Sequence, residues 1–216
     1  MIIDCIGCLH GYLPQLEGDG DLLIVTGDLT ARDSSSGYIK FYEWLEKQTY
    51  RKKIVIPGNH DGYFEKCNTF SPSPFGDDLA TYLCNSGTEF EDLKIWGTPH
   101  SLWFDQINPK ASAFTKHEYE LKEIYDQIPD DIDILISHTP FWGILDQNIH
   151  GYLCGSRSLR DTIDRVKPQI FICSHIHEQG GNEIMYKHQG PNTWCVNCSI
   201  MNEDYEPINE PIRLVL

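Results

Sequence analysis

The chain is poor in positive charge. Its 216 residues carry 17 Lys and Arg against 32 Asp and Glu, a formal net charge of −15. Long nucleic acids are held mainly through Lys and Arg on phosphates. The composition therefore argues against a basic groove for DNA or RNA. A small anionic substrate drawn in by metal cations fits it better. Long apolar runs are also missing, and none approaches the roughly 20 residues of a membrane span. The opening Met1-Ile2-Ile3-Asp4 has no basic stretch and too short an apolar run for a signal peptide. A cytoplasmic location is expected on that ground, with the eight cysteines as reduced thiols. No repeat and no linker divides the chain. Residues 1–216 read as a single domain, long enough to bury a substantial core.

An aromatic content of 12% and several strand-like runs argue against disorder. Strand-like runs alternate with amphipathic stretches, the α/β pattern. Tyr38, Phe41, Trp44 and Leu45 recur at helical spacing after the polar turn Asp33 to Gly37. Leu121, Ile124, Tyr125 and Ile128 do the same up to Pro129, and Leu159, Ile163 and Val166 up to Pro168. These stripes read as core packing against a sheet. Thr88 to Gly97, Glu183 to Tyr186, Thr193 to Asn197 and Ile212 to Leu216 read as strands without long helices between them. Some antiparallel pairing is expected there.

The chemistry-bearing residues fall in five short clusters. They read Cys8-Leu9-His10, Gly27-Asp28, Gly58-Asn59-His60-Asp61, Ser137-His138-Thr139 and Ser174-His175-Ile176-His177. Each follows an apolar run: Ile2 to Ile6, Leu22 to Thr26, Ile54 to Ile56, Ile132 to Ile136 and Ile170 to Cys173. In α/β proteins the carboxyl ends of neighbouring strands converge on one crevice. Five such tips can surround a metal pair. Alternation along a strand would put His175 and His177 on one face.

The order of these clusters resembles the signature D-x-H, G-D, G-N-H-D, G-H, G-H-x-H of the calcineurin-like metallophosphoesterases, over residues 8 to 177. His175-Ile176-His177-Glu178 followed by Asn197-Cys198-Ser199 resembles the small branch related to class III cyclic-nucleotide phosphodiesterases. Cys8 stands where the family has Asp, and Ser137 and Ser174 stand where it has Gly. The resemblance implies two packed mixed β-sheets flanked by helices, a four-layer α/β/β/α sandwich. It implies two divalent metal ions sharing Asp28 as a bridge. His10 and His177 match ligands of the first metal, with Cys8 beside them; Asn59, His138 and His175 match those of the second. His60 matches the substrate-facing catalytic position, with Asp61 as its orienting partner. The implied reaction is hydrolysis of a small phosphodiester, such as a nucleotide, by a metal-bridging hydroxide. His60 would aid the leaving group.

Two alternatives are a phosphomonoesterase on the same site and a non-catalytic metal- or redox-sensing module that uses Cys8. A thiolate keeps the charge of a carboxylate but favours zinc or iron over manganese. Cys5-x-x-Cys8 with Cys195-x-x-Cys198 offers a rival four-cysteine zinc site, disfavoured by the long separation. His100, His117, His150 and His188 match no ligand motif. Ser71-Pro72-Ser73-Pro74, Thr98 to Pro109 and Thr139 to Gly155 read as loops near the site. Their aromatics either stack on substrate or cover core. The sequence does not specify an oligomeric state.

Overall fold

A continuous run of β-branched and other apolar residues can bury both faces of a strand. The computed structural model, which describes residues 1–67, 74–76, 78–105 and 108–216, uses such runs for its central parallel strands. In chain order its elements are β1 (Ile2–Ile6), β2 (Leu22–Val25), α1 (Ser35–Glu46), β3 (Lys52–Val55), α2 (Gly62–Cys67), β4 (Thr81–Tyr82), β5 (Ser86–Phe90), β6 (Leu93–Thr98), β7 (Ser101–Leu102), β8 (Thr115–Lys116), α3 (Glu118–Tyr125), β9 (Ile134–Ser137), α4 (Arg157–Val166), β10 (Ile170–Cys173), β11 (Glu183–Tyr186), β12 (Thr193–Asn197) and β13 (Ile212–Val215). Among the described residues, one sheet has the order β13-β1-β2-β3-β4 and the other β11-β12-β10-β9-β6-β5. The central pairings are parallel; β13 on β1, β11 on β12 and β5 on β6 are antiparallel. β7 and β8 form a separate parallel pair.

Three apolar layers result. Ile3, Cys5, Leu22, Ile24, Ile54 and Ile56 meet Ile134, Ile136, Ile170, Ile172 and Val196 between the sheets. The alternate residues Ile6, Leu23, Val25 and Val55 pack under Tyr38, Phe41, Trp44, Leu45 and Phe64. On the far side, Leu135, Phe171, Cys173 and Cys195 pack under Leu121, Tyr125, Leu159, Ile163 and Val166. This is the anticipated sandwich of two mixed sheets between helices. The same period of two separates the cysteines. Cys5 and Cys198 lie between the sheets, whereas Cys195 faces the helices. The four-cysteine zinc reading fails for that reason.

Local signals explain most boundaries. Ser34 and Ser156 cap α1 and α4, accepting the N–H groups of Gly37 and Leu159, both at 3.2 Å. Of the polar stretch Asp33 to Gly37, Ser35 to Gly37 thus belong to α1, and only Asp33 and the cap Ser34 lie ahead of it. α4 ends at Lys167, in the left-handed region at φ 51°, just before Pro168. α3 stops at Tyr125, and Ile128 reaches the same core from the following turn. Thr88 to Gly97 is not one strand but the β5–β6 hairpin. Its turn carries Glu91 at φ 53°, where no Gly or Asn announces it. Ser71 to Ser73 of the proline-rich stretch lie outside the described residues.

The C-terminal strand is fixed to the first by an ion pair whose carboxylate is buried. Arg213 of β13 donates from Nε and Nη2 to the two oxygens of Asp4, each at 2.8 Å. Asp4 is almost fully buried and also accepts from the Tyr50 hydroxyl. Removing one partner of such a pair strands a buried charge. Arg213→Met is expected to lower the melting temperature by several degrees. Adding Asp4→Asn should recover part of the loss, as read by thermal denaturation of the single and double variants.

Candidate metal centre

The parallel strands β1, β2, β3, β9 and β10 all end at one edge of the sandwich, and the five clusters follow those ends. All nine predicted residues gather there. Four leave their strands in the left-handed region: Cys8 at φ 48°, His10 at 43°, Asp28 at 54° and His175 at 66°. Non-glycine residues rarely adopt it, and each costs on the order of 1 kcal/mol or more. His175 and His177 lie beyond β10, His177 opening a 3-10 turn (His177–Gln179). Both reach the same cavity through that bent backbone, not through strand alternation as the spacing predicts.

Asp28 sits at the middle. Its Oδ2 lies 3.5 Å from His10 Nε2 and 3.5 Å from His138 Nε2. Its Oδ1 accepts the backbone N–H of His60 at 2.9 Å. His10 Nε2 is 3.2 Å from His177 Nε2, and the rings of His138 and His175 are 4.9 Å apart. Cys8 Sγ, fully buried, accepts the His175 N–H at 3.0 Å. Three sets of donor atoms lie within 4.8 Å of one another: Cys8, His10 and His177; Cys8, Asp28 and His138; His10, Asp28 and His60.

Outer contacts fix the direction of each donor. The Nδ1 of His138 is 2.7 Å from the Thr26 carbonyl and that of His177 is 3.0 Å from the Asn202 carbonyl. Those contacts place a proton on Nδ1 and leave Nε2 as the lone pair pointing inward. Asn59 donates from Nδ2 to the Ala111 carbonyl at 2.8 Å, which turns its Oδ1 to within 2.9 Å of His138 Nε2. The lone pairs of His138, Asn59 and Asp28 therefore converge with no proton between them. Such an arrangement repels itself until a cation enters. The residues fit a divalent metal on this ground.

Burial lowers the imidazole of His10 to about 4 and that of His175 to about 3. Both are neutral near pH 7, as metal ligands must be. Burial penalises the Asp28 anion, but any proton taken up by His138, His10 or His60, together with the His60 backbone N–H, favours it, and the balance holds the carboxyl below the usual range. Burial, reinforced by the Asp28 charge, pushes the Cys8 thiol well above its ordinary value. A metal would have to displace that proton.

Asp61 takes a different place from the one anticipated. Its carboxylate is fully buried and accepts the N–H groups of Gly58 (2.8 Å) and Leu29 (3.0 Å) and the Tyr38 hydroxyl (3.3 Å). Among the described residues it makes no hydrogen bond to the His60 ring. It positions His60 by tying its loop to the one after Asp28. Gly58 is required at this crossing, since an added Cβ would stand 2.3 Å from Asp28 Oδ1. Ser174 is more than a small residue. Its hydroxyl accepts from Thr26 Oγ1 at 2.9 Å and donates to the Thr26 carbonyl at 3.1 Å.

A cavity of about 650 Å³ opens over Asp28, Asn59, His60, His175 and His177. Its wall includes Glu178 and two residues that no motif marked, Glu203 and Tyr205. The Tyr205 ring lies edge-on to His10 and His177, at 4.8 and 5.0 Å between centroids. The aromatic loop residues divide. Phe104 and Tyr152 line the cavity, Phe141 is core, and Trp142 stacks under Arg157 at 4.0 Å. His100 is buried between the Phe114 carbonyl and Asn85, and His188 contacts Asp164 and Thr193. His117 is exposed at the start of α3 and His150 is exposed in its loop. No helix among the described residues is long and apolar enough to cross a membrane.

An α/β/β/α sandwich with candidate metal-ligand groups at the carboxyl edge of its parallel strands defines a metallophosphoesterase. The chain belongs to the calcineurin-like phosphoesterase family, whose model matches residues 1–179. It is similar to a UPF0046 protein of Caenorhabditis elegans, 35% identical over 80% of this chain and 66% of that protein. It is also similar to the human metallophosphoesterase domain-containing protein 1, 32% identical over 98% of this chain and 70% of that one. The chain thus spans about two thirds of the length of these curated relatives. A more distant match is the 3',5'-cyclic adenosine monophosphate phosphodiesterase CpdA of Haemophilus influenzae, 25% identical over 58% of this chain and 42% of that protein. The solved structure of TT1561 of Thermus thermophilus shares the fold, with a TM-score of 0.63 at 15% identity over 91% of this chain and 89% of that one.

The depressed imidazoles give the metal-free protein a defined pH dependence. Unfolded histidines bind protons near pH 6.5, whereas folded His10 binds one only near 4. Between those values the unfolded state holds more protons, so stability falls as pH falls. Chelator-treated wild type is expected to lose melting temperature from pH 6.5 to 4 more steeply than His10→Asn. Equal slopes would show that His10 is not held neutral.

Proposed function

We propose that residues 1–216 form one phosphoesterase unit that hydrolyses a small phosphodiester with two divalent metals. The observation that carries this reading is the single Asp28 oxygen placed 3.5 Å from both His10 and His138. A carboxylate so placed faces two ligand sets at once. Cys8, His10 and His177 would hold one metal with Asp28; Asn59, His138 and His175 would hold the other. Two bound cations would supply positive charge to phosphate oxygens and lower the pKa of water. His60 lines the cavity, and its backbone N–H is tied to Asp28. Its ring can therefore face a phosphate held above that carboxylate and aid the departing oxygen. The diester preference is supported by likeness to a protein named for cyclic AMP hydrolysis.

The redox-sensing alternative draws no support from Cys8. A sensor thiol is exposed and has a low pKa, whereas this one is buried and pushed up. The −15 charge agrees with a small substrate instead of a long nucleic acid.

Asp28→Ala should lower metal content at both sites, read by elemental analysis. His60→Ala should retain metal and lose turnover of an aryl phosphodiester by about 10²–10⁴. Full metal content in Asp28→Ala, or metal loss in His60→Ala, would overturn these roles. A parallel assay on an aryl monoester tests the diester preference.

Cys8 sets metal choice. Wild type should be most active with zinc or iron(II), and Cys8→Asp should move the preference toward manganese. Activity against each added metal for wild type, Cys8→Asp and Cys8→Ala provides the check. Identical profiles would make Cys8 a bystander.

A further inference from the structure

The cavity wall has an unusual charge pattern for a protein that handles phosphate. Away from the candidate ligands it presents two carboxylates, Glu178 and Glu203, and no Lys or Arg lines it. The residues outside the described part carry no Lys or Arg in their sequence either. Glu178 is fixed, since its Oε1 accepts the Ile149 N–H at 2.9 Å, which leaves the other oxygen free to face the cavity. Among the described residues neither carboxylate is paired with a cationic side chain. Three exposed rings, Phe104, Tyr152 and Tyr205, line the same space.

Carboxylates beside aromatic faces are the elements of a cation site. The ring quadrupole attracts a positive charge, and more strongly as that charge is desolvated. Anionic groups meet the opposite field. A phosphodiester has one negative charge, which belongs at the metal centre. A second phosphate or carboxylate on its far arm would lie against Glu178 and Glu203.

Building on the phosphodiesterase reading above, we propose that this cavity selects a zwitterionic phosphodiester, whose far arm carries an alkylammonium group held by Glu178, Glu203 and the three rings. The phosphate stays over Asp28 and His60, and the arm extends toward Tyr152 and Tyr205. Hydrolysis consumes one water and breaks one P–O bond. The alcohol leaves with a proton and a phosphomonoester remains, so no further reactant is needed.

The test uses metal-loaded protein and three p-nitrophenyl diesters that differ only in the second arm. The arms are trimethylammonioethyl, the isosteric neutral 3,3-dimethylbutyl, and a carboxylate of similar length. The expected order of kcat/KM is cationic, neutral, anionic, with steps of roughly tenfold at low salt that shrink as salt screens the charges. Glu178→Gln retains the acceptor for Ile149. The double variant Glu178→Gln, Glu203→Gln should compress the cationic-to-anionic ratio toward one. Equal rates for all three arms, or an unchanged ratio in the double variant, overturn the charge selection and leave the phosphodiesterase reading intact. Failure to hydrolyse any of the three at full metal content overturns the phosphodiesterase reading and this inference together.

Discussion

Thr26 joins the two sheets at the edge where the site lies. It ends the run of β2 in the first sheet, yet its carbonyl accepts from His138 Nδ1 and Ser174 Oγ of the second. Its hydroxyl donates to Ser174 in return. Most of the remaining contact between the sheets is made by apolar side chains, and such contacts tolerate small slides. Hydrogen bonds of 2.7–3.1 Å do not. The first sheet supplies Asp28 and the second supplies His138, so this seam, with the His175 N–H to Cys8 Sγ and Ile200 N–H to Gly7 carbonyl bonds beside it, holds their spacing. Gly7 permits it, because a Cβ there would stand 2.0 Å from Thr26 Oγ1. One backbone group thereby helps to fix the register of the layers and sets the tautomer of His138.

Strain accumulates on the donors that the seam positions. Cys8, His10, Asp28 and His175 are all left-handed, where glycine would be cheaper. Glycine has no side chain to bind a metal, so the chain bears the conformational cost at the residues whose side chains are needed. Their loops are held by bonds that do not involve a metal. The N–H of Cys8 reaches the Gly27 carbonyl at 3.0 Å and that of His10 reaches the Asp28 carbonyl at 2.8 Å. Asp61 clamps the loops after β2 and β3. The site is thus preorganised, and the repulsion among its lone pairs is the energy a cation would relieve.

Much of this is legible in the sequence, for a physical reason. Continuous apolar runs mark strands buried on both faces, and ligand-type residues after them mark one sheet edge. Both signals are local. The strand Thr193–Asn197 and the helical stripe of Leu159, Ile163 and Val166 are visible on that basis. What stays hidden depends on long-range geometry. Nothing near Glu91 announces a hairpin turn. Asp61 looks like the partner of its neighbour His60 until the fold brings Leu29 and Tyr38 to it. Tyr205 and Glu203 lie beyond every motif and reach the cavity only because the chain returns after β12. Ser174 looks like a size substitution, and only its distance to Thr26 reveals a hydrogen-bonding role.

The same distinction explains how a thiol can stand at position 8. The His175 N–H points at Cys8 Sγ, and a carboxylate oxygen would accept that bond equally well. Sulfur and carboxylate oxygen also carry the same charge once a cation has displaced the proton. The loop geometry and the charge of the site therefore constrain residue 8 only to be a compact anionic acceptor. Softness and bond length remain, and these act on the metal rather than on the fold. On the proposed ligand role, substitution at Cys8 would change the metal chemistry within an unchanged scaffold, whereas substitution at Thr26 or Asp61 would alter the scaffold itself.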